Sequence, residues 1–254
     1  MATSRSWYTV PMARLLRHLI TGPDVCHYLA AVAMTTESRV MVDVSPQELE
    51  ELLDLGWRRF GPVYFRPICG GCQECVSVRV PVEGFVPSAN LRRVLQRARH
   101  LRVEVGKPSC DEQRLALHAR WHASRQTARG WEASELDREA YALQFCFPHP
   151  SARELSYWDG ERLVAIGITD RTPGALSAVY CYYDPDHEKL SLGTLNVLTS
   201  IAEAKREGLR HVYLGYRVEG CASLRYKGRF LPQERLEGRP EEGSTPRWVG
   251  YSEE

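Results

Sequence analysis

Three cysteines separated by two-residue gaps form the stretch of this sequence with the most evident chemistry, Cys69-Gly70-Gly71-Cys72-Gln73-Glu74-Cys75. Two intervening residues let both sulfur atoms of a pair turn toward one metal ion, and the glycines permit the tight backbone that this needs. Thiolates suit an iron–sulfur cluster or zinc, for which Cys26 or His27 would supply the fourth ligand. The alternative is a loop whose cysteines pack, or stay reduced, without metal.

A second feature is a strongly basic segment, residues 88–129, with ten basic and three acidic side chains and a net charge of +7. Phosphate backbones attract such a surface because binding releases their condensed counterions. The predicted residues for contact with a nucleic-acid backbone, such as that of a tRNA, are Arg92, Arg93, Arg97 and Arg99. The alternative is a solvated helix face.

Three tyrosines crowd one predicted strand end, in Tyr180-Cys181-Tyr182-Tyr183-Asp184-Pro185. Aromatic rings at this place could line a pocket for an aminoacyl group or stack on the terminal adenosine of a tRNA. Strand alternation puts Tyr180 and Tyr182 on one face and Tyr183 on the other, and packing in the core is the alternative.

Two further stretches could contact phosphates or carboxylates. Ser191-Leu192-Gly193-Thr194 begins a predicted helix, where backbone N–H groups can receive an anion. Its single glycine favours a tRNA phosphate or a simple helix cap over acetyl-CoA. Tyr226 and Lys227 follow the last predicted strand, and the lysine could neutralise a phosphate or a carboxylate.

These residues need elements to position them. Capping signals such as Ser45-Pro46, turn signals such as Asp159-Gly160 and the periodicity of apolar residues predict helices and strands. The predicted helices are 9–20, 45–55, 89–100, 111–129 and 191–207. The predicted strands are a pair within 57–67, then 76–80, 155–158, 163–169, 175–183 and 211–216.

The predicted strand–helix–strand unit over residues 175–216 is typical of the mixed sheet of N-acetyltransferase-type domains, an architectural analogy that carries no chemistry. The expected fold class is therefore α+β. We expect an N-terminal cysteine-containing domain (residues 1–87), an acyltransferase-like mixed-sheet domain (residues 88–232) and an acidic tail (residues 233–254).

Composition excludes some classes of protein. The 254 residues are 43% hydrophobic, which can fill a core, and the net charge of +1 favours no partner. No apolar run reaches the roughly 18–20 residues of a membrane helix. We therefore expect no membrane partner. Eight cysteines in a chain of this size predict a reducing cytoplasm. Walker A, Rossmann and His-Glu-x-x-His motifs do not occur in the sequence.

Several stretches together resemble the bacterial branch of the arginyl/leucyl-tRNA–protein transferase family. They occur in order over about residues 23–232. They are Tyr64-Phe65-Arg66-Pro67 with the cysteine cluster, Val78-Arg79-Val80-Pro81, Ser177-Ala178-Val179-Tyr180, Tyr183-Asp184-Pro185, Ser191-Leu192-Gly193-Thr194, Tyr213-Leu214-Gly215-Tyr216 and Tyr226-Lys227. The sequence departs from the family at Ala30-Ala31, where Pro-Gly is usual, and at Cys221 and Leu224.

The resemblance implies an enzyme that transfers leucine or arginine from aminoacyl-tRNA to proteins beginning with Asp or Glu, which creates a degradation signal. It implies no cofactor for transfer, although an iron–sulfur cluster or zinc is compatible with it. Arg66, Arg79 and Lys227 are the candidates that would bind the acidic acceptor. The other predicted substrate-binding residues are Tyr180, Tyr182, Tyr183, Asp184, Ser191, Gly193, Tyr216 and Tyr226.

Three alternatives remain open at the level of sequence. The first is arginyl in place of leucyl transfer, and the second is an acetyl-CoA-dependent acetyltransferase. The third is a non-enzymatic tRNA- or metal-binding module. No general base can be assigned from the sequence.

Overall fold

A computed structural model describes residues 13–129 and 136–252 of the chain. The strands of this part are β1 (Arg14–Val25), β2 (Ala33–Val42), β3 (Arg58–Phe60), β4 (Val63–Pro67), β5 (Val76–Pro81), β6 (Arg102–Gly106), β7 (Ala152–Asp159), β8 (Arg162–Arg171), β9 (Ala175–Tyr183), β10 (His211–Arg217), β11 (Gln233–Leu236) and β12 (Trp248–Tyr251). The α-helices are α1 (Pro46–Asp54), α2 (Ala89–Arg97), α3 (Glu112–Arg129), α4 (Arg138–Phe145), α5 (Leu192–Arg206) and α6 (Ala222–Arg225).

These strands form two sheets. The smaller sheet is antiparallel, in the order β1-β2-β4-β3. The larger sheet has the order β12-β11-β5-β10-β9-β8-β7-β6, and its neighbours are antiparallel except for β9 and β10. The expected α+β class with a mixed sheet is therefore confirmed.

The parallel pair in the larger sheet is short. β9 and β10 pair only from Ala175 to Ser177 and from His211 to Tyr213. Beyond these residues β9 continues beside β8, whereas β10 shifts register at Gly215 and continues beside β5. The two strands therefore part, and α5 connects them, as the predicted strand–helix–strand unit requires.

The helix signals in the sequence have visible counterparts. Ser45 Oγ accepts a hydrogen bond from the backbone N–H of Glu48 at 3.2 Å, and Glu48 Oε2 accepts one from the backbone N–H of Ser45 at 2.8 Å. This capping box fixes the start of α1. Gly208 has a φ of 68°, which suits glycine at the end of α5.

Two expectations fail in this part of the chain. The helix expected over residues 9–20 is wrong for residues 14–20, which belong to β1, and residues 9–12 lie outside the described part. The backbone of β1 pairs with β2 along nearly its whole length, which satisfies the polar groups on that side of the strand without a helix. Likewise, residues 233–236 and 248–251 of the expected tail form β11 and β12 in the larger sheet.

The larger sheet also contains β5, from the range predicted as the N-terminal domain, which pairs with β10. The cores of the two predicted domains are thus joined through one sheet. Within residues 13–129 and 136–252, no helix is long and apolar enough to cross a membrane.

Candidate functional site

The gap where β9 and β10 part opens into a cavity of about 620 Å³, here called the main cavity. Ala178 to Cys181 line it from β9, and Leu214 to Tyr216 line it from β10. The start of α5 contributes Ser191 and Gly193. Ser191 adopts a left-handed backbone conformation with φ of 56°, which turns the chain into α5.

Arg58 comes to the main cavity from β3 of the smaller sheet, and sequence reasoning missed it. Its side chain is buried, and Nη2 donates a hydrogen bond to the carbonyl of Ala178 at 2.9 Å. Gly215 lies against the guanidinium, where an added Cβ would be 3.3 Å from it. Burial lowers the pKa of Arg58, so its surroundings oppose the positive charge.

Lys227 also lines the main cavity, from the turn that follows α6. Its Nζ donates a hydrogen bond to the carbonyl of Tyr216 at 2.9 Å, and Gln233 Nε2 donates one to the carbonyl of Lys227 at 2.8 Å. Burial and the nearby Arg58 charge lower the pKa of Lys227 to about 7.

The tyrosines of β9 divide between cavity and core. Tyr180 and Tyr183 line the main cavity, and Tyr183 accepts a hydrogen bond from Arg125 Nη2 at 2.6 Å. Tyr182 is fully buried, and its hydroxyl contacts that of Tyr141 at 2.5 Å. The sequence predicts that Tyr180 and Tyr182 share a face of the strand. Of these two, however, Tyr180 lines the main cavity and Tyr182 does not.

Asp184 lies behind the cavity wall. It is fully buried, and its carboxylate forms ion pairs with Arg120 and Arg162. It also accepts a hydrogen bond from the backbone N–H of Asp186 at 3.0 Å. Asp184 is therefore placed to hold the turn before α5 and is not among the residues that line the cavity.

Two predicted acceptor-binding arginines are engaged elsewhere. Arg66 Nε donates to Glu37 at 2.8 Å, and the Arg66 guanidinium lies 4.7 Å from the centre of a Trp57 ring. Arg79 donates to Glu234 at 2.6 Å and to Asp54 at 2.7 Å. Of the three candidates, the structure brings Lys227 to the main cavity and leaves Arg66 and Arg79 outside its lining.

Tyr216 and Tyr226, by contrast, both line the cavity. Tyr216 is buried, and its hydroxyl donates to the carbonyl of Gly56 at 2.9 Å. Tyr226 packs edge-on against Phe230, with 6.3 Å between ring centres. Both contacts place an aromatic ring in the wall close to Lys227.

The basic helix α2 lies beside the start of α5. Leu91 and Val94 of this helix, and Ala98 at its end, are buried. The arginines predicted to bind tRNA are all exposed, namely Arg92, Arg93, Arg97 and Arg99. Arg97 Nη2 lies 3.5 Å from Ser191 Oγ, so the exposed row of arginines meets the rim of the main cavity.

The four predicted metal ligands meet in a second cavity of about 250 Å³, here called the cysteine cavity, which is lined by Cys26, Cys69, Cys72 and Cys75. Burial raises the pKa of Cys75 to about 12, and the three neighbouring thiols add to this rise. Four soft donors fit zinc or an iron–sulfur cluster in kind.

The arrangement of these thiols is not that of a closed ligand set. Cys69 Sγ lies 3.4 Å from the backbone nitrogen and 3.6 Å from the carbonyl oxygen of Thr35. In the described ranges, no group of three or more His, Cys, Asp or Glu side chains could hold a metal ion as placed. Metal binding therefore stays a prediction, and no chemical step is derived from it.

Comparisons with known proteins find relatives over most of the chain. Residues 24–93 match the family model described as arginine-tRNA-protein transferase, N terminus, and residues 113–237 match the C-terminus model of the same family. An aspartate/glutamate leucyltransferase of Helicobacter hepaticus is 33% identical over 229 residues, which covers 90% of this chain and 95% of its own. One of Pseudomonas savastanoi is 35% identical over 238 residues, covering 92% and 96%.

Proposed function

Because the chain belongs to the arginine-tRNA-protein transferase family, we propose that it transfers leucine from leucyl-tRNA to proteins whose first residue is Asp or Glu. Membership of this family makes the chain an aminoacyl-tRNA–protein transferase, with a tRNA and a protein as substrates. It decides against the acetyl-CoA-dependent and the non-enzymatic alternatives.

The observation that carries the choice of substrates is the charge of the main cavity. Four cationic side chains line it, of which Arg59 is paired with Asp170, and Glu188 is the single carboxylate among the described lining residues. An acidic acceptor is attracted by this excess of positive charge. An arginyl side chain would meet repulsion there, whereas leucine needs only apolar contacts. The names of the relatives support the same pair of substrates.

The reaction asks little of the protein. The acceptor α-amine attacks the ester carbonyl, a peptide bond forms, the ester C–O bond breaks, and the proton lost by nitrogen ends on the ribose hydroxyl that leaves. An amine with a pKa of about 8 is partly neutral at physiological pH. Holding both substrates in one cavity then supplies much of the rate enhancement.

Each part of the cavity has a place in this proposal. The exposed arginines of α2 hold the tRNA backbone outside the rim, and Tyr180 and Tyr183 face the aminoacylated end inside. The cations deeper in the cavity face the acceptor. We also propose a cytoplasmic location, because charged tRNA is a cytoplasmic substrate and the free thiols suit a reducing compartment.

A transfer assay tests the proposal directly. Purified enzyme is given leucyl-tRNA or arginyl-tRNA with matched peptides that begin with Asp, Glu or Ala. We expect leucine on the Asp and Glu peptides and little on the Ala peptide. Transfer of arginine in preference to leucine would show that arginyl-tRNA is the donor. Equal labelling of the Ala peptide would refute the acceptor specificity.

A further inference from the structure

Arg58 and Arg59 are neighbours on β3, but of the two only Arg59 forms an ion pair among the described residues. Arg59 is buried, and its Nε donates to Asp170 Oδ2 at 3.1 Å, which neutralises its charge within the protein. Arg58 is buried as well, yet no carboxylate of the described residues lies within 4.0 Å of it. Its fixed contact is the carbonyl of Ala178, a neutral group.

Lys227 repeats this situation at the next residue of β10. Its Nζ contacts the carbonyl of Tyr216, and it too forms no ion pair within the part of the chain that the structure describes. Arg58 packs against Gly215, the residue before Tyr216. The two cations therefore contact adjacent residues of β10, and each lines the main cavity.

Two like charges close together in a mostly buried place are unfavourable without a counter-charge. Burial lowers the pKa of both groups, and the Arg58 charge lowers that of Lys227 further. A guanidinium is a planar fork that pairs with a carboxylate through two hydrogen bonds, and an ammonium adds a third donor. An anion of carboxylate size would thus satisfy both groups at once.

We propose that Arg58 and Lys227 together bind the side-chain carboxylate of the acceptor's first residue, and so determine the preference for Asp and Glu. This inference rests on the proposed function. A tRNA phosphate is the less suitable occupant, because the exposed arginines that would meet the tRNA backbone lie on α2, outside the rim.

The test compares two acceptor peptides that differ only at the first residue, Asp against Asn, in the complete enzyme. The measured quantity is the ratio of kcat/KM for the Asp peptide to that for the Asn peptide. Loss of active protein lowers both values alike and leaves the ratio unchanged. We expect Arg58→Gln and Lys227→Met each to reduce this ratio by roughly 10- to 100-fold, the worth of a charge-assisted hydrogen bond.

Two further variants sharpen the result. Arg58→Lys keeps the charge and should retain part of the ratio. Arg39→Gln is the matched control, because Arg39 is a mostly buried arginine of the same small sheet that pairs with Glu37 and does not line the main cavity. Its Asp-to-Asn ratio should equal that of the wild type.

The outcomes separate this inference from the proposed function. A wild-type ratio near one would refute the acidic acceptor, and this inference would fall with it. A high wild-type ratio that survives in both Arg58→Gln and Lys227→Met would overturn the subsite alone. Should Arg58→Gln not fold, Lys227→Met and the equilibrium binding of both peptides without tRNA decide the matter.

Discussion

The carboxylate of Asp184 shows how a conspicuous motif residue can serve structure in place of binding. Burial alone would raise its pKa, but the backbone N–H of Asp186 and the charges of Arg120 and Arg162 outweigh burial. The pKa of Asp184 therefore lies below its ordinary value. The charged form is thus stabilised in the folded protein.

This direction sets the expected pH dependence of stability. Because the folded pKa lies below the unfolded one, the stabilisation is complete above the unfolded pKa and is lost as pH falls through the folded pKa. Asp184→Asn should lower the free energy of unfolding by about 2 kcal/mol at neutral pH. Denaturant unfolding of both proteins at several pH values should show this difference shrinking in acid.

Asp186 provides the control for that prediction. It forms ion pairs with the same two arginines but has 73% of its side chain exposed. Asp186→Asn should change stability little, because exposed ion pairs contribute weakly. A difference for Asp184→Asn that persists unchanged below its unfolded pKa would contradict the ionic explanation.

Among single residues, Lys227 could be predicted to contact an anion, but Arg58 could not. The sequence does contain a signal for a buried cation, because two adjacent arginines lie between Trp57 and Phe60 in a short predicted strand. Which of the two has a carboxylate partner depends on Asp170, more than a hundred positions along the chain, on β8. Such long-range pairing is not visible in a local pattern.

At the scale of elements, α2 carries the most specific expectation about tRNA. Its buried face fixes the helix, and its three arginines and Arg99, two residues beyond its end, are left exposed beside the cavity rim. Reversing Arg92, Arg93, Arg97 and Arg99 to Glu should raise the KM for aminoacyl-tRNA. It should also flatten the salt dependence by about 0.9 in logarithmic slope for each tRNA phosphate that the variant no longer neutralises.

A charge-matched variant controls for net charge. It reverses four exposed arginines that do not line the main cavity, namely Arg14, Arg206, Arg210 and Arg247. This variant should keep the salt slope of the wild type more closely. Equal slopes in both variants would move the tRNA-binding surface away from α2.

The cysteine loop is the second element with a testable role. We propose that Cys26, Cys69, Cys72 and Cys75 can bind an iron–sulfur cluster or zinc after the side chains turn inward in their shared cavity. Protein purified without oxygen should then contain about one zinc ion or one cluster per chain, by metal analysis and visible absorption. Cys72→Ser with Cys75→Ser should abolish this content.

Shared lining residues connect the cysteine cavity to the main cavity. Tyr28, Phe65 and Tyr216 line both the cysteine cavity and the main cavity, so they form the wall between them. Metal loss should therefore alter transfer indirectly, through the wall, by changing KM. If the purified protein contains neither iron nor zinc and the double serine variant is fully active, the cysteines form a packing loop that stays reduced without metal.

Elements with strong local signals could be predicted from the sequence, and those decided by partners could not. The capping residues of α1 and the Asp159-Gly160 turn between β7 and β8 are local, and both elements are found as predicted. Residues 14–20 place Leu15, Leu16, Leu19 and Ile20 at helix-like spacing. Pairing with β2, a tertiary contact, makes this stretch a strand instead.

At the scale of the whole molecule, the C-terminal segment completes the larger sheet. β11 pairs with β5, and Leu236 is buried against Gly56. Arg239 donates hydrogen bonds to the carbonyls of Cys69 and Cys72 at 2.7 and 2.5 Å. The low apolar content of the segment predicted a tail. The prediction is wrong because backbone pairing and contacts with distant residues order the segment, and composition does not show these.

This architecture predicts the effect of removing the segment. A chain that ends at Pro232 exposes an edge of β5, leaves Arg79 without Glu234 and releases the cysteine loop from Arg239. Its melting temperature should fall by about 10 °C or more, since roughly 2–4 °C are lost per kcal/mol in a chain of this size. Calorimetry or circular dichroism measures the shift.

Two point variants show whether the fall in melting temperature comes from the loss of buried side chains or from the shortening of the chain. Leu236→Ala on β11 removes a side chain that is 6% exposed and should cost about 2–4 kcal/mol. Val249→Ala on β12 removes one that is 37% exposed and should cost less than about 1 kcal/mol. The truncated chain could instead have the melting temperature of the wild type, with no difference in stability between the two point variants. In that case residues 233–252 would contribute nothing to the sheet, and the segment would be the tail that its composition indicates.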